Sequence, residues 1–318
     1  MQIGLINNLR AGRSDRLVSR MLGVLRDYPE VQHVETNRAG ALPHAIAELA
    51  RRRVDLILVN GGDGTLQHAL TEILRNEAFD RIPLVAPLRG GRTNMTAKDL
   101  GATRDPVRGM RAVVDAARSG RLHQHFVHRP VLRVAFDRGR RSEYGMFFGL
   151  GIIPRAIALV HDFFPQGRTQ GSFGAGLVTM ALVAKTAFRS KEGVLSPDKV
   201  DAQLDGEALS HGEFRLGIAS TLRRLYWGLD PFWGEDRGDL RTTFIASNAP
   251  RLAQAAPGIL WGKAPAFTTP ENGYVSRNVD RAQLRLSCGF TIDGEIYGPR
   301  TDEVVTLSAD RRVTFVRA

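Results

Sequence analysis

The residues with the clearest chemical potential form the sequence Asn-Gly-Gly-Asp-Gly-Thr at positions 60–65, directly after the apolar run VDLILV. A glycine-rich loop between a buried strand and a helix lets backbone N–H groups approach a phosphate, and the helix adds its positive end. The Asp63 carboxylate would repel that phosphate unless it holds Mg²⁺ or takes a proton from a nucleophile. Thr65 could cap the helix or bond a phosphate oxygen.

A purely structural interpretation of this loop is a tight turn with Asp63 as an N-cap. Two common nucleotide signatures are absent, because the chain has no GxxxxGK(S/T) and no GxGxxG in its first strand-to-helix turn. We favour phosphate binding because the loop closes an almost wholly apolar strand. Ligands of open parallel sheets bind beyond the carboxyl ends of such strands.

The first part of the chain alternates between strand and helix patterns. The strand patterns are IGLIN, VQHVET, VDLILVN and IPLVAP. Apolar residues at helical spacing follow the glycine loop, and Asp105-Pro106 is a typical helix start. This alternation predicts a doubly wound α/β nucleotide-binding domain over residues 1–125.

The pattern changes to short strands joined by turns near residue 127. Strands at this density predict a β-rich, antiparallel, β-sandwich-like domain over residues 126–318, whose last strands could return toward the first domain. An insert at residues 153–190 is helical at both ends with a glycine-rich middle. Phe163, Phe164 and Phe173 in this insert could admit a lipid, although a helical hairpin covering the β domain fits the same residues.

Composition narrows the class of protein. The formal net charge of +11 fits nucleic acid, phosphorylated metabolites or an anionic membrane surface as a partner. The single cysteine, Cys288, excludes an internal disulfide framework and is best interpreted as a buried structural thiol. The first residues lack the apolar stretch of a secretion signal, and no apolar run approaches the roughly 18 residues that span a bilayer. We therefore expect a cytoplasmic protein.

Four motifs in order resemble the diacylglycerol kinase catalytic domain, which bacterial lipid kinases share with sphingosine and ceramide kinases. The first is GGDGT itself, and the second is NNLRAG, which keeps Asn8 and Gly12 but has Leu9 where the family has proline. The third is PLRGGRTNMTAKDLG, and the fourth is a late Asp-Gly-Glu at residues 293–295. GGDGT alone is less specific, because NAD kinases carry it too.

The resemblance implies an ATP-dependent kinase that phosphorylates a lipid hydroxyl, with ATP and Mg²⁺ as cofactors. It places Asp63 and Glu295 in catalysis and Asp63 near the metal. A carboxylate at a helix N-terminus is held ionised by the helix dipole, so Glu295 is favoured over Asp63 as the base. The nucleotide contacts that the resemblance implies are Asn8, Gly12, Asn60, Gly61, Gly62, Gly64, Thr65, Gly90, Gly91, Arg92, Thr93 and Asn94.

Several positions depart from the family pattern or resemble it only loosely. His68 replaces a frequent glutamate, and Arg92-Thr93 replaces Thr-Gly, so Arg92 or the nearby Arg89 could contact phosphate bidentately. The segment WGEDRGDL offers Asp236 and Asp239 as ligands of a structural Mg²⁺, although a solvated acidic loop is the simpler interpretation. A second Asp-Gly-Glu at residues 205–207 is interpreted as a hairpin turn.

The leading hypothesis is a lipid kinase at the inner membrane face. It would transfer the γ-phosphate of Mg·ATP to a hydroxyl of a lipid such as diacylglycerol. Its partners would be that lipid alcohol and an anionic membrane surface, held at roughly 1 kcal/mol per well-placed basic residue, with no nucleic acid. The alternatives are a kinase of a soluble substrate, such as an NAD kinase, and a catalytically silent nucleotide- or lipid-binding protein. The sequence leaves the lipid and the oligomeric state open.

Overall fold

The computed structural model describes residues 1–9, 15–36, 39–75, 78–163, 196–298 and 302–318. The chain forms two compact units. Unit 1 comprises Met1–Val131, Glu143–Gly145 and Arg311–Ala318, and unit 2 comprises Leu132–Ser142 and Met146–Asp310. The chain first passes from unit 1 to unit 2 within the strand Phe126–Phe136, re-enters unit 1 briefly in the strand Arg141–Gly145, and finally returns within the strand Glu303–Val316. The domain boundary at residue 125 stays a prediction.

Unit 1 is built on a parallel sheet in which four strands have the order β4-β3-β1-β2, and the last strand of the chain, Glu303–Val316, pairs with β4 at Phe315 and Val85. The strands are β1 (Ile3–Asn8), β2 (Val31–Thr36), β3 (Leu56–Gly61) and β4 (Leu84–Arg89). The helices are α1 (Asp15–Leu25), α2 (Leu42–Arg51), α3 (Asp63–Arg75), α4 (Met95–Asp99) and α5 (Pro106–Arg118). The predicted start of α5 is confirmed, because the Asp105 carboxylate accepts from the Val107 amide at 2.9 Å.

Helices cover both faces of this sheet, as the alternation of its side chains requires. Ile3 and Leu5 of β1 pack in one core cluster with Met21 of α1 and Met110 of α5. Gly4, between them, points the opposite way, since a Cβ there would lie 2.8 Å from the side chain of Leu49 in α2. Unit 1 is therefore doubly wound, with α1 and α5 on one face and α2 on the other.

Unit 2 is rich in antiparallel strands. Including the three strands shared with unit 1, they are β5 (Phe126–Phe136), β6 (Arg141–Gly145), β7 (Phe147–Gly151), β8 (Asp198–Leu204), β9 (Glu207–Ala208), β10 (Glu213–Ser220), β11 (Leu240–Ala246), β12 (Tyr274–Val279), β13 (Arg281–Leu286), β14 (Phe290–Ile292), β15 (Glu295–Tyr297) and β16 (Glu303–Val316). The helices are α6 (Ile152–Phe163) and α7 (Leu252–Ile259).

The core of unit 2 is dominated by aromatic side chains from the buried faces of these strands. Phe136 meets Phe290 edge-on with ring centroids 5.5 Å apart, and Phe214 meets Phe244 in the same way at 5.5 Å. Such edge-to-face pairs contribute about 0.5–1.5 kcal/mol beyond the area they bury. The predicted fold class is confirmed, with a parallel α/β unit followed by an antiparallel β-rich unit. Phe164 and Phe173 lie outside the described residues, as does the side chain of Phe163.

Candidate functional site

The loops that carry the predicted nucleotide contacts in unit 1 follow adjacent parallel strands. In the sheet register Asn7 of β1 lies beside Asn60 of β3, and Gly61 of β3 lies beside Arg89 of β4. The strand order changes direction at β1, since the chain runs from β1 outward to β2 and then crosses back to β3. A reversal of this kind opens a crevice at the carboxyl ends of the strands, where doubly wound folds bind ligands.

Two glycines let the loops after β3 and β4 touch. A Cβ at Gly90 would lie 2.3 Å from Asn60 Oδ1, and a Cβ at Gly91 would lie 2.3 Å from the Cα of Gly62. Any side chain at these two positions would push the loops apart. Gly62 itself has only an ordinary 3.5 Å contact at its Cβ position, so packing does not require glycine there. A group outside the protein that approaches the backbone closely would require it.

Asp63 joins the same two loops. Its Oδ2 accepts from the amide of Met95 and its Oδ1 from the amide of Thr96, each at 3.0 Å. Burial raises the pKa of the Asp63 carboxyl above its ordinary value, and the two amide donors only partly oppose this effect. A helix dipole alone would lower this pKa, but the removal of the carboxylate from water is the larger effect and raises it. Asp63 thus fixes the start of α4 against the start of α3.

Asn94 closes the loop between β4 and α4 on itself. Its side chain accepts from the Gly91 amide at 2.8 Å and donates to the Gly91 carbonyl at 2.7 Å. The residue adopts φ 49°, a left-handed conformation that asparagine tolerates better than most residues. Asn94 is buried, so the structure uses this predicted nucleotide contact to shape the loop.

Amide side chains tie the ends of β1 to those of β3. The Nδ2 of Asn8 donates to Thr65 Oγ1 at 2.8 Å, and the Nδ2 of Asn60 donates to Asn7 Oδ1 at 2.7 Å. Asn7 was not among the predicted site residues, although two consecutive asparagines at the end of an apolar strand are a signal of such a role. Asn7 is fully buried, so it too positions the crevice.

Buried polar atoms without a hydrogen-bond partner mark the strand ends. Among the described residues they include Asn7 Nδ2, Asn60 Oδ1 and Arg89 Nε. Each residue is the last or penultimate one of its strand. Leaving a buried donor such as Arg89 Nε unsatisfied is costly, so a polar group that approached it would gain a hydrogen bond. The first amides of α3 add further donors, because Leu66 is the first residue bonded back, at 3.1 Å to Gly62.

These features fit the phosphates of a nucleotide. Donors at a helix start, an arginine and a glycine that permits close approach are what an anionic group requires. The only acidic side chain at positions 60–65 and 90–94 is that of Asp63. One or two carboxylates together with substrate phosphates suffice for Mg²⁺, and a carboxylate that accepts two amide bonds keeps further lone pairs. The donor set therefore also fits a nucleotide-bound Mg²⁺.

The remaining predicted contacts of unit 1 differ in their surroundings. Gly64 is half-exposed, and Arg92 and Thr93 are exposed. Gly61 is fixed by packing, since a Cβ there would lie 2.5 Å from the Cβ of Thr65. Gly12 lies outside the described residues. The roles of these residues as nucleotide contacts stay predictions.

Glu295 belongs to unit 2, at the start of β15. Asp293 and Gly294 form the two-residue turn between β14 and β15, with φ of 48° and 93°. The buried Asp293 carboxylate accepts from the amides of Met146 and Phe147 at 2.9 and 3.0 Å. These two hydrogen bonds fix the turn, and the side chain of Glu295, the residue after the turn, is exposed to solvent. No ion pair engages Glu295 within the described ranges.

Asp236 and Asp239, the predicted ligands of a structural Mg²⁺, lie on the surface of unit 2. Asp236 forms a 3.8 Å ion pair with Arg277, and its carbonyl accepts from Asn278 at 3.0 Å. Asp239 is exposed. In the part of the chain that the structure describes, no group of three or more His, Cys, Asp or Glu side chains could hold a metal ion. A structural Mg²⁺ at this loop stays a prediction.

Cys288 has the surroundings of a structural thiol. It is half-buried against the core of unit 2. Burial and the neighbouring Asp198 carboxylate raise the pKa of the thiol to about 12. A thiol in this state is protonated at neutral pH and a poor nucleophile.

Comparisons with known proteins agree with the motif analysis. Residues 2–123 match the model of the diacylglycerol kinase catalytic domain. A crystal structure of a diacylglycerol kinase from Bacillus anthracis strain Sterne has a TM-score of 0.64 and 16% identity, covering 100% of this chain and 97% of that one. Two other structures from this strain, of proteins provisionally named diacylglycerol kinases, have TM-scores of 0.67 at 19% and 18% identity, with the same coverage. No curated protein matches the sequence.

At these identities the structural neighbours show a shared fold. None of the helices in the described ranges is long and apolar enough to cross a membrane. The motifs at residues 61–65 and 90–94 lie within the matched segment, and the structure joins them in one network. The resemblance to the diacylglycerol kinase catalytic domain that the sequence motifs predict is thereby confirmed over residues 2–123.

Proposed function

We propose that this protein is an ATP-dependent lipid kinase that transfers the γ-phosphate of Mg·ATP to a hydroxyl of a lipid such as diacylglycerol. One observation carries the proposal. The motif residues Gly62, Asp63, Gly91 and Asn94 come from two separate stretches of sequence and form one interlocked pair of loops next to the switch point of the sheet. The match to a diacylglycerol kinase catalytic domain over the same stretches supports the reaction class.

In this proposal the nucleotide phosphates bind at the start of α3. The first amides of the helix, which have no carbonyl partner within it, and the bare backbone at Gly62 supply neutral donors. Arg89 supplies charge: its Nε is buried without a partner, and no ion pair engages the guanidinium within the described residues. Such an arginine can form a bidentate bond to a phosphate at little cost in reorganisation, because no carboxylate among the described residues has to be released first.

Asp63 has two tasks in this proposal. Its amide bonds to Met95 and Thr96 hold the two loops at the spacing that the phosphates require. Its remaining lone pairs can hold a Mg²⁺ against those phosphates. When bound, Mg²⁺ neutralises charge on the transferring phosphoryl group. Because both carboxylate oxygens already accept amide bonds, Asp63 suits this positioning task better than proton abstraction.

Glu295 is the proposed base. A lipid hydroxyl must lose its proton as it attacks the phosphorus, and a carboxylate can accept that proton. Glu295 is exposed, it follows a turn fixed by Asp293, and no arginine or lysine pairs with it in the described part of the chain. The proposed partners are the lipid alcohol and an anionic membrane surface at the inner membrane face.

The test is transfer of labelled γ-phosphate from Mg·ATP into a total lipid extract by wild type and by Asp63→Asn. We expect a labelled lipid with wild type and its loss with the variant, while a thermal melt identifies a variant that has merely failed to fold. A parallel incubation replaces the lipid with NAD. Label in NAD, or no transfer to lipid by a wild-type protein that binds ATP, would contradict the lipid-kinase proposal.

A further inference from the structure

Two adjoining turns of unit 2 expose aromatic and basic side chains together. The turns are residues 225–230 and 258–263, and they meet where the Asp230 amide donates to the Leu260 carbonyl at 2.9 Å. Gly262 allows this approach, since a Cβ there would lie 3.1 Å from the Asp230 carbonyl oxygen. We call these turns, with the adjacent arginines, the aromatic–basic surface: Arg223, Arg224, Tyr226, Trp227, Trp261 and Lys263.

Trp261 is the unusual member of this surface. Its side chain is 56% exposed, which places it among the few exposed large apolar side chains of the described residues. An indole so exposed gives up the burial that normally stabilises tryptophan. On the neighbouring turn Trp227 is half-exposed, has φ 58° and contacts Tyr226 with ring centroids 4.3 Å apart and the ring planes tilted by 36°. Backbone bonds from Leu225 to Leu229 at 2.7 Å and from Leu229 to Tyr226 at 3.2 Å hold that turn.

The charge around these aromatics is positive. Arg223, Arg224 and Lys263 are exposed. The only acidic residue of the two turns, Asp230, is engaged by Arg224 at 2.9 Å and by Arg241. One carboxylate between two guanidiniums leaves the surface with a net positive charge, which favours an anionic partner.

We propose that the aromatic–basic surface binds anionic lipid membranes. Tryptophan and basic residues side by side are the combination that favours the membrane–water interface: the indole enters the headgroup region and the cations meet lipid phosphates. The use of this surface rests on the proposed function, because a lipid alcohol is reached at a bilayer. The same substrate favours a membrane over single-stranded nucleic acid, which also binds arginine and aromatic rings.

The test is co-sedimentation with vesicles of phosphatidylcholine mixed with phosphatidylglycerol, and with vesicles of phosphatidylcholine alone, in the absence of ATP. Wild type should bind the mixed vesicles. We expect Trp261→Ser to weaken that binding about tenfold, from the loss of apolar burial. Lys263→Glu should weaken it at least about fivefold, the effect of one basic residue. Lys199→Glu and Ile82→Ser, at exposed positions elsewhere, serve as matched controls.

Each outcome has one meaning. Loss in Trp261→Ser and Lys263→Glu with normal binding by both controls supports the proposal. The proposal would be overturned if wild type did not bind the mixed vesicles, or if the two variants bound them as wild type does. It would also be overturned by an equal loss of binding in Lys199→Glu, or by selective binding of an oligonucleotide instead of vesicles. Both target side chains are exposed, so thermal melts should match wild type. Because no turnover is measured, a failed kinase assay and a failed membrane assay are separate results.

Discussion

Two hairpins of unit 2 carry the same three residues, Asp-Gly-Glu, at 205–207 and 293–295. Both are two-residue turns, with Leu204 paired to Glu207 in one and Ile292 paired to Glu295 in the other. The aspartate and glycine have φ of 49° and 87° in the first hairpin and of 48° and 93° in the second. Both turns therefore have the two positive φ values of a type I′ hairpin.

The hydrogen bonds that hold the aspartate are also the same in kind in the two hairpins. Asp205 accepts from the amides of Asp280 and Arg281 at 3.1 and 2.8 Å and donates its own amide to the Arg281 carbonyl at 2.9 Å. Asp293 accepts from Met146 and Phe147 and donates to the Phe147 carbonyl at 2.9 Å. Each turn is thus fastened to a neighbouring stretch of backbone.

The two hairpins differ in burial and in the glutamate that follows. Asp205 is exposed, whereas Asp293 is buried. Glu207 forms an ion pair with Arg277, whereas no ion pair engages Glu295 within the described residues. The comparison teaches that the local motif builds a turn in either place, and that only the surroundings leave one of the two carboxylates available for chemistry.

The largest expected difference is in catalysis. Under the proposed function, Glu295→Gln should lower kcat about 10²- to 10⁴-fold, because a general base is lost while the side chain keeps its shape. Glu207→Gln should change kcat less than about twofold, because its carboxylate serves an ion pair on the surface. Steady-state transfer to the lipid acceptor, with nucleotide affinity measured by calorimetry, checks both. Equal losses in the two variants would remove the distinction between the hairpins.

The next difference is in stability. Asp293→Ala leaves two amides of the Met146–Phe147 stretch without an acceptor in a buried site, which should cost about 2–4 kcal/mol of unfolding free energy. Asp205→Ala should cost about 1 kcal/mol or less, because water replaces the carboxylate at an exposed site. Urea denaturation midpoints at constant slope report both values. A larger cost at Asp205 would contradict the burial argument.

The shared backbone predicts equal costs at the two glycines. Gly206→Ala and Gly294→Ala each place a Cβ in the left-handed region with open space around it. The strain should be about 1–2 kcal/mol in each, and the two values should agree within about 0.5 kcal/mol. The same denaturation series measures it. A clear inequality would mean that the two turns are under different constraints.

The smallest effect is expected from removing the partner of Glu207. Arg277→Met breaks an ion pair whose glutamate is largely exposed, so stability should fall by less than about 1 kcal/mol. Kinase activity should not change, because the Glu207 carboxylate loses its ion pair but stays in its own hairpin. A gain of activity in Glu295→Gln combined with Arg277→Met would show that either hairpin can supply the base.

The strands β1 to β4 and the helices α1, α2, α3 and α5 were predicted from local periodicity and helix-start signals, whereas the five-residue helix α4 was not. β12 was missed because the polar residues Ser276, Arg277 and Asn278 interrupt its alternation. α7 was missed because Pro257 lies inside it. In the second part of the chain the hairpin at 205–206 was predicted from Asp-Gly, and the structure confirms it.

The sequence predicted which residue types form the site, but it did not predict their contacts. The motif around Asp63 identified the loop, but its bonds to Met95 and Thr96 depend on the approach of β4, which no local pattern encodes. The position of Asp63 at a helix start predicts a lowered pKa, but burial raises it, and the burial of this side chain cannot be deduced from the local sequence. The partnerless Nε of Arg89 is visible only when every neighbour is placed.

The most direct test of the distinction between the hairpins is the rate of single-turnover phosphorylation of the lipid by wild type, Glu295→Gln and Glu207→Gln, each saturated with Mg·ATP. If Glu295 is the base, Glu295→Gln should transfer phosphate at least about 10²-fold more slowly than wild type, because its amide cannot accept the hydroxyl proton. Glu207→Gln should match wild type within about twofold. A Glu295→Gln protein that is nearly as fast as wild type would contradict the account.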